Sequence, residues 1–411
     1  MTTPADPAGA RLASLDHRHG WQLGIFGVAA TVMFVTIFQV GTAIRLFGTG
    51  ESAITVDFYV FWAAAKLAVQ GVPFDAFDVT RLQQAAGVTD TDWMPWAYPP
   101  GLMMVLMPLG LLPFAAAWAV FEAVSVIALG LAVRPFSTGR FQVLLAAAFA
   151  PAALPCLLVG QTTLLWIAGL LAALAALRAN RPVLAGVFVG LLTLKPQLGI
   201  LLPLALLACG AWRTILSAIV TTAVVAAVPT WLFGSAYWPV MLEMMAAHGD
   251  AVRESIAGNN RMISPYAALA GAGVAEPLAL ALQWAVTAVC ALVVFLVWRA
   301  PAAAFDLRAA VLFTAIPLAS PYLWFYGSAF LAPAVLFMWR AGALGLRPAA
   351  MLLGLAMWLG LGPSTLIALN SAPGLEVFRF YFVLINATAL LVCLRCVLRG
   401  TEPTRALPQK F

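Results

Sequence analysis

The sequence predicts an all-α, polytopic transmembrane helical protein, and three observations carry that prediction. Of 411 residues, 63% are hydrophobic and 9% charged, against roughly 25% charged in ordinary soluble domains. Runs of roughly 20 apolar residues, the length of a helical bilayer crossing, recur between positions 24 and 398. Arginine and lysine stand singly between these runs, as topology signals do. In lipid every backbone polar group must be satisfied internally, which leaves helices or closed barrels. The runs are too long and too rich in Ala and Leu for barrel strands. The expectation is about 10–13 membrane helices, with interfacial helices in the loops of one face.

Taken in order, residues 1–22 are polar, carry Arg11 and Arg18, and read as a cytoplasmic tail. The first span, 24–44, is too long for a signal-peptide core and lacks a cleavage signal, so it is expected to be retained. A first outer loop follows over 45–98. Within it Phe58, Phe61, Trp62, Ala65 and Val69 keep the spacing of one helix face. That predicts an interfacial amphipathic helix starting near Asp57, capped by Thr55, and ending at Gly71-Val72-Pro73. Residues 99–133 are too long for one span and split near Pro113; two crossings are natural there, whereas the later layout needs an odd number.

Beyond that stretch, Arg178, Arg181, Arg213, Arg299, Arg308, Arg340, Arg347 and the tail 399–411 fall on one side, read as cytoplasmic. The opposite face receives Gly160-Gln161, Lys195-Pro196-Gln197, a second outer loop over 231–276, and segments 320–327 and 370–379. Trp93, Trp96, Tyr98, Trp231, Tyr237, Trp238, Tyr322, Trp324 and Tyr326 map to that outer boundary, where aromatic residues favour the interface. The chain reads as a single membrane domain over 1–411. A net charge of +6 does not imply nucleic acid, because the basic residues are scattered rather than clustered. The five cysteines sit in or beside apolar runs and imply no disulfide framework, and Cys393-x-x-Cys396 lacks a second ligand pair.

Few residues are suited to chemistry. Asp57 opens the interfacial helix and is followed by FYVFWAA. The helix dipole favours a carboxylate there, while apolar surroundings raise its pKa, so it is poised to take a proton; the plain alternative is a helix-capping aspartate. Lys195 breaks the apolar run 187–207 and precedes Pro196. An ionisable group at membrane depth points to a cavity or an anion, with snorkelling to the interface as the alternative. Glu122 is similarly embedded, either in a packing role or a functional one. Gly160-Gln161 and Tyr98-Pro99-Pro100 mark tight transitions, for which turn geometry is a sufficient alternative. Asp75, Asp78, Asp90 and Asp92 read as solvated loop charges. In the second loop His248, Asp250, Arg253, Glu254 and Arg261 either meet a polar substrate or lipid phosphate or simply face water. No H-E-x-x-H, P-loop or G-x-S-x-G occurs. No metal site or cofactor is expected; the alternative is Mg²⁺ held by Asp57 and an acidic residue of the second loop.

The strings DFYVFWAAAKLAVQGVPFDAFD from Asp57, YPPG at Tyr98, VGQTTLL at Val159, LAGVFVGLLTLKPQLGILLPLAL from Leu184 and SPYLWFYG at Ser320 together resemble family 87 glycosyltransferases. These are bacterial membrane enzymes of the GT-C type, similar to mannosyltransferases that use polyprenyl-phosphate-mannose. By this resemblance Asp57 matches the acidic catalytic base of the first outer loop, and Lys195 the lysine of the family's K-P-Q segment. The chain departs from the pattern after Ser320-Pro321, where related proteins often carry a His or Asp and this one has Tyr322, Tyr326 and Gly327.

The resemblance implies transfer of a hexose, with mannose foremost, from a polyprenyl-phosphate donor to a lipid-linked or cell-envelope glycan. The reaction would lie on the outer face of the bacterial cytoplasmic membrane and invert the anomeric centre. Asp57 would be the base, and Lys195 would contact the donor phosphate. Gln161, Gln197, Tyr98, Tyr322 and Tyr326 would line the cavity, with Arg253, Arg261 and His248 as further candidates. A transporter or flippase of lipid-linked sugars is the alternative of a different class, and a non-catalytic subunit of an envelope assembly complex is a third.

Overall fold

The structure is a computed structural model describing residues 57–88, 94–136, 150–258, 261–345, 347–360 and 378–399. The expected N-terminal tail and first span, Thr55, Trp93, Asp90, Asp92 and residues 400–411 lie outside them. Among the described residues all regular structure is helical, apart from one isolated antiparallel bridge between Met262 and Trp324.

In chain order the helices are α1 (Phe58–Val69), α2 (Val79–Ala86), α3 (Pro100–Leu106), α4 (Phe114–Val133), α5 (Leu154–Val159) and α6 (Thr163–Arg178). Next come α7 (Pro182–Leu191), α8 (Leu202–Ala208), α9 (Trp212–Phe233), α10 (Tyr237–Ser255) and α11 (Pro265–Gly271). The chain continues through α12 (Glu276–Arg299), α13 (Phe305–Ala319), α14 (Leu331–Arg340), α15 (Pro348–Leu359) and α16 (Phe378–Leu398). Four segments of the described chain are long and apolar enough to cross a bilayer: Phe114–Phe136, Trp212–Phe233, Glu276–Arg299 and Arg379–Leu398. Together with the shorter apolar helices they make an all-α polytopic membrane protein.

The shorter helices have a local cause. Lys195 precedes Pro196, and a residue before proline is pushed out of the right-handed helical region. It adopts φ −138° and ψ 73°, between the 3₁₀ turns Leu192–Leu194 and Pro196–Leu198. The apolar run around Lys195 is therefore broken where its cation sits. At membrane depth such irregular backbone is tolerated only inside protein or along a cavity, and Lys195 is 5% exposed.

At the centre lies α13, buried along nearly its whole length and packed by α12, α14 and α16. On another side α7 and α9 meet through Gly186 and Gly190. A β-carbon on Gly190 would stand 2.5 Å from Thr221 Cβ, so the small-xxx-small pair lets the two backbones approach closely. The remaining surface of α9 is apolar and exposed, with Thr214 and Pro229 its only buried residues, as suits a lipid-facing helix.

Residues 99–133 contain one helix of spanning length. Pro113 opens α4, while α3 and the 3₁₀ turn Met107–Leu111 before it together make 12 residues. That is about 20 Å of rise, short of a roughly 30 Å hydrocarbon core. The short piece is instead packed against α1.

This packing changes the character of α1. Its bounds match the spacing read from the sequence, with Gly71 at φ 82° just beyond its end. Its environment does not, because eight of its twelve residues are buried, including Ala63, Ala64, Leu67 and Ala68. It is a nearly enclosed helix, covered by protein on most sides rather than along one stripe. Lys66 anchors it to α2, donating to the Ala85 carbonyl at 3.0 Å, and Trp62 donates to the Leu112 carbonyl at 2.9 Å.

Two polar ties fix the long loops to the rest of the fold. Trp96 Nε1 donates to the Tyr237 hydroxyl at 2.7 Å, and that hydroxyl donates to the Tyr98 carbonyl at 3.3 Å, joining the first loop to α10. Arg379, 1% exposed at the start of α16, donates to the carbonyls of Ala267 at 3.0 Å and Ala257 at 3.1 Å.

Candidate functional site

Asp57 stands at the N-terminus of α1, yet its side chain makes no capping hydrogen bond. Its Oδ2 instead accepts from Gln161 Nε2 at 2.6 Å. The tight transition at Gly160-Gln161 explains how a residue 104 positions away reaches it. Helix α5 ends in a left-handed turn at Gly160, φ 68°, a conformation that favours glycine. The Gln161 backbone N–H then bonds back to the Cys156 carbonyl at 3.0 Å. The thiol of Cys156 donates to the Gln161 carbonyl at 3.2 Å. With its backbone clamped on both sides, Gln161 is 1% exposed and its amide is aimed at Asp57.

The other end of that amide meets Lys195. Lys195 Nζ donates to Gln161 Oε1 at 3.0 Å and to Thr163 Oγ1 at 3.2 Å. It also lies 5.0 Å from the centre of the Tyr326 ring, within cation–π range. Three chain segments distant in sequence thus form one polar chain, Asp57–Gln161–Lys195, within apolar surroundings.

Asp57 is half-buried. Desolvation raises the pKa of its carboxyl above the ordinary value, against the lowering effects of the Gln161 hydrogen bond and the charges of Lys195 and Arg261. A carboxylate of this kind is a stronger base than an exposed one. Beside it the Tyr98 phenol is held neutral by burial and by the Asp57 charge. Arg261 is brought near because residues 261–263 pair with 323–325: Phe325 N–H bonds to the Arg261 carbonyl and Ile263 N–H to the Leu323 carbonyl, both at 2.8 Å.

Lys195 also forms part of the wall of a cavity of about 780 Å³. Its lining runs along α6 from Thr162 and Leu165 through Gly169 and Ala172 to Ala179, with α3, α4 and α7 as the other walls, and reaches Arg181. One helix of 16 residues makes this slot about 24 Å long. Nearly all of the lining is apolar, with Lys195 and Thr162 at one end and Arg181 at the other.

The other residues read from the sequence fall into distinct places. Gln197 is exposed, outside the Asp57–Gln161–Lys195 chain. Tyr322 is 37% exposed and stands edge-on to Tyr266, 6.1 Å between ring centres. Arg253 is exposed and paired with Asp250 one turn away on α10. His248 is half-buried on the same helix, and desolvation lowers its imidazole pKa. Asp78 caps α2, accepting from Thr80 N–H at 2.8 Å. Glu122 accepts from Trp118 Nε1 at 3.2 Å, one turn away in α4. Among the described residues no three His, Cys, Asp or Glu side chains come together as a metal site. Sequence reasoning overlooked Thr163 and Cys156. The Thr-Thr pair directly after Gly160-Gln161 was the available signal for the first; nothing local marks the second.

No curated protein and no solved structure matches the chain. The sequence profile of glycosyltransferase family 87 matches residues 96–321. That is more than half of the chain and takes in Tyr98, Gln161, Lys195 and Arg261, while Asp57 precedes the matched region and is tied to it through Gln161. On the extent of this match, the chain belongs to glycosyltransferase family 87 and is a membrane-embedded glycosyltransferase.

Proposed function

We propose that this glycosyltransferase moves one hexose, mannose foremost, from a polyprenyl phosphate to a hydroxyl of a lipid-linked or cell-envelope glycan. The observation that carries the reading is the junction at Lys195, where a buried cation bonded through Gln161 to a carboxylate opens onto a long apolar slot. A donor of this class has one anionic phosphate and a hydrocarbon tail. The slot suits the tail, and Lys195 suits the phosphate at its mouth.

In the proposed step the acceptor hydroxyl attacks the anomeric carbon while Asp57 takes its proton. The bond from that carbon to the phosphate oxygen breaks, and polyprenyl phosphate leaves with the bonding electrons. Charge grows on the leaving phosphate, where Lys195 is strongest as a stabiliser. A single displacement inverts the anomeric centre, giving an α-linkage from a β-linked donor. The charge pattern supports an outward-facing site in the bacterial cytoplasmic membrane. Helices α6, α12 and α14 end in Arg178, Arg299 and Arg340, and basic residues favour the cytoplasmic side.

The test is incubation of the purified protein with labelled polyprenyl-phosphate-mannose and host lipid extract. Label appearing in a new glycolipid, with anomeric inversion, is the expected result. Transfer from a nucleotide sugar alone, with none from polyprenyl phosphates, would overturn the reading.

A further inference from the structure

The amide of Gln161 joins two opposite charges that do not touch each other. A carboxylate only accepts and an ammonium only donates, so one orientation alone serves both: nitrogen towards Asp57, oxygen towards Lys195. Both contacts have hydrogen-bonding lengths, 2.6 and 3.0 Å. A flipped amide would set oxygen against carboxylate and nitrogen against ammonium. The backbone beneath the side chain is fixed as well, by the left-handed turn at Gly160 and the two contacts with Cys156. Among the described residues, no carboxylate lies within ion-pair distance of Lys195.

An inverting displacement needs this separation. The base stands by the incoming hydroxyl and the cation by the departing phosphate, on opposite sides of the anomeric carbon. A direct Asp57–Lys195 ion pair would collapse the two groups onto each other and occupy both. With the amide between them, each is oriented from one side and keeps its remaining hydrogen-bonding capacity for substrate. Lys195 has a third N–H beyond those given to Gln161 and Thr163, and Asp57 has Oδ1.

We propose that Gln161 is a positioning residue that spaces the base from the phosphate-binding cation and holds both in one hydrogen-bonded chain. The proposal rests on the hexosyl-transfer reading above. The groups facing Asp57 are the cations of Lys195 and Arg261, the phenols of Tyr98 and Tyr326, and the Gln161 amide. Of these, only the amide bonds Asp57 and Lys195 at once.

The experiment is an infrared titration of the full-length protein in nanodiscs, with the Asp57 carboxyl band identified by its absence in Asp57→Asn. Gln161→Met keeps side-chain length and removes both polar ends. A hydrogen bond to a charged group contributes about 1.5–3 kcal/mol, so its loss should move the Asp57 titration up by about one to two pH units. The acid limb of the kcat/KM profile should move by the same amount. Gln161→Asn, one methylene shorter, cannot hold both partners and should move the Asp57 titration off its wild-type position, upward if the bond to Asp57 is lost and downward if Lys195 closes onto it. It carries the test if the Met variant does not fold. An Asp57 band that titrates at its wild-type pH in the folded variant overturns the role of Gln161, whatever the enzyme transfers. Failure of the wild-type protein to use polyprenyl phosphates overturns the reading of the donor and leaves the infrared result standing.

Discussion

Gly160 lies against Phe58 so closely that a β-carbon on the glycine would stand 2.5 Å from the Phe58 β-carbon. The contact seats the turn between α5 and α6 on the first residue of α1, and the residue after Gly160 bonds to the residue before Phe58, Gln161 to Asp57. Gly160→Ala should therefore act on both stability and chemistry. The left-handed φ of 68° costs a non-glycine residue about 1–2 kcal/mol before any clash is counted. The expected outcome is a lower melting temperature in detergent together with a loss of transfer larger than the melting shift explains. Wild-type transfer by this variant would show that the turn does not set the base.

Asp57→Asn keeps the shape of the side chain and removes its basicity. General-base catalysis contributes about 10²–10⁴-fold, so turnover is expected to fall by that range at unchanged protein level. The wild-type pH profile gives a second reading. Burial raises the Asp57 pKa above the ordinary value, and the base works only when ionised. On the acid side, activity should therefore fall as pH drops through the raised value, rather than near pH 4, where an exposed aspartate titrates at about 3.9. An acid limb at that exposed position, or one that persists in residual Asp57→Asn activity, would assign the limb to another group.

How much of this was open to reading from the sequence depends on range. The bounds of α1 came from local information: apolar spacing from Phe58 to Val69 and the stop at Gly71-Val72-Pro73. Its burial did not, because the Met107–Leu111 turn covering it is about 40 residues away and carries no sign of its partner. Lys195 announced itself through a mismatch of charge and surroundings. Gln161 stood only beside a glycine turn, and its bonds span 104 and 34 positions. The split at Pro113 was visible, but deciding between one crossing and two needed the short rise of the preceding piece.

The slot along α6 makes a prediction separable from the chemistry. Ala172 lines it partway between Lys195 and Arg181, well away from Asp57. Ala172→Phe should narrow the passage and raise the KM for a long-chain donor by about tenfold, the equivalent of about 1.4 kcal/mol of binding. Turnover at saturation, and use of a donor with a truncated lipid, should change little. Equal loss with long and short donors would place the lipid elsewhere.

Transfer is expected to need no divalent metal, since the single phosphate of the proposed donor already has Lys195 as its counter-charge. Full activity in excess chelator is the expected result. Loss of activity restored by Mg²⁺ or Mn²⁺ would instead place a cation beside Asp57.

Lys195 gives the last prediction. The residue is 5% exposed, and its ammonium is held by Gln161 Oε1, Thr163 Oγ1 and the face of Tyr326, all of them uncharged. Placing a charged side chain at the centre of a membrane helix costs about 2.5–3.5 kcal/mol, and neutral partners offset only part of that. The site is therefore poised for an anion, and the leaving phosphate gains negative charge as the glycosidic bond breaks. The contact should be stronger in the transition state than in the ground state, so removing it should lower kcat more than it raises KM. Lys195→Met preserves length and apolar packing and should cut turnover by about 10²–10³-fold, the range seen when one preorganised donor is removed from a developing anion. Lys195→Arg should restore part of the rate, because it keeps the charge while its planar fork fits differently between Gln161 and Thr163. Steady-state kinetics with purified donor would separate the two parameters. Full activity of Lys195→Met would leave the phosphate to another cation, with Arg261 the first to examine because its charge already reaches Asp57.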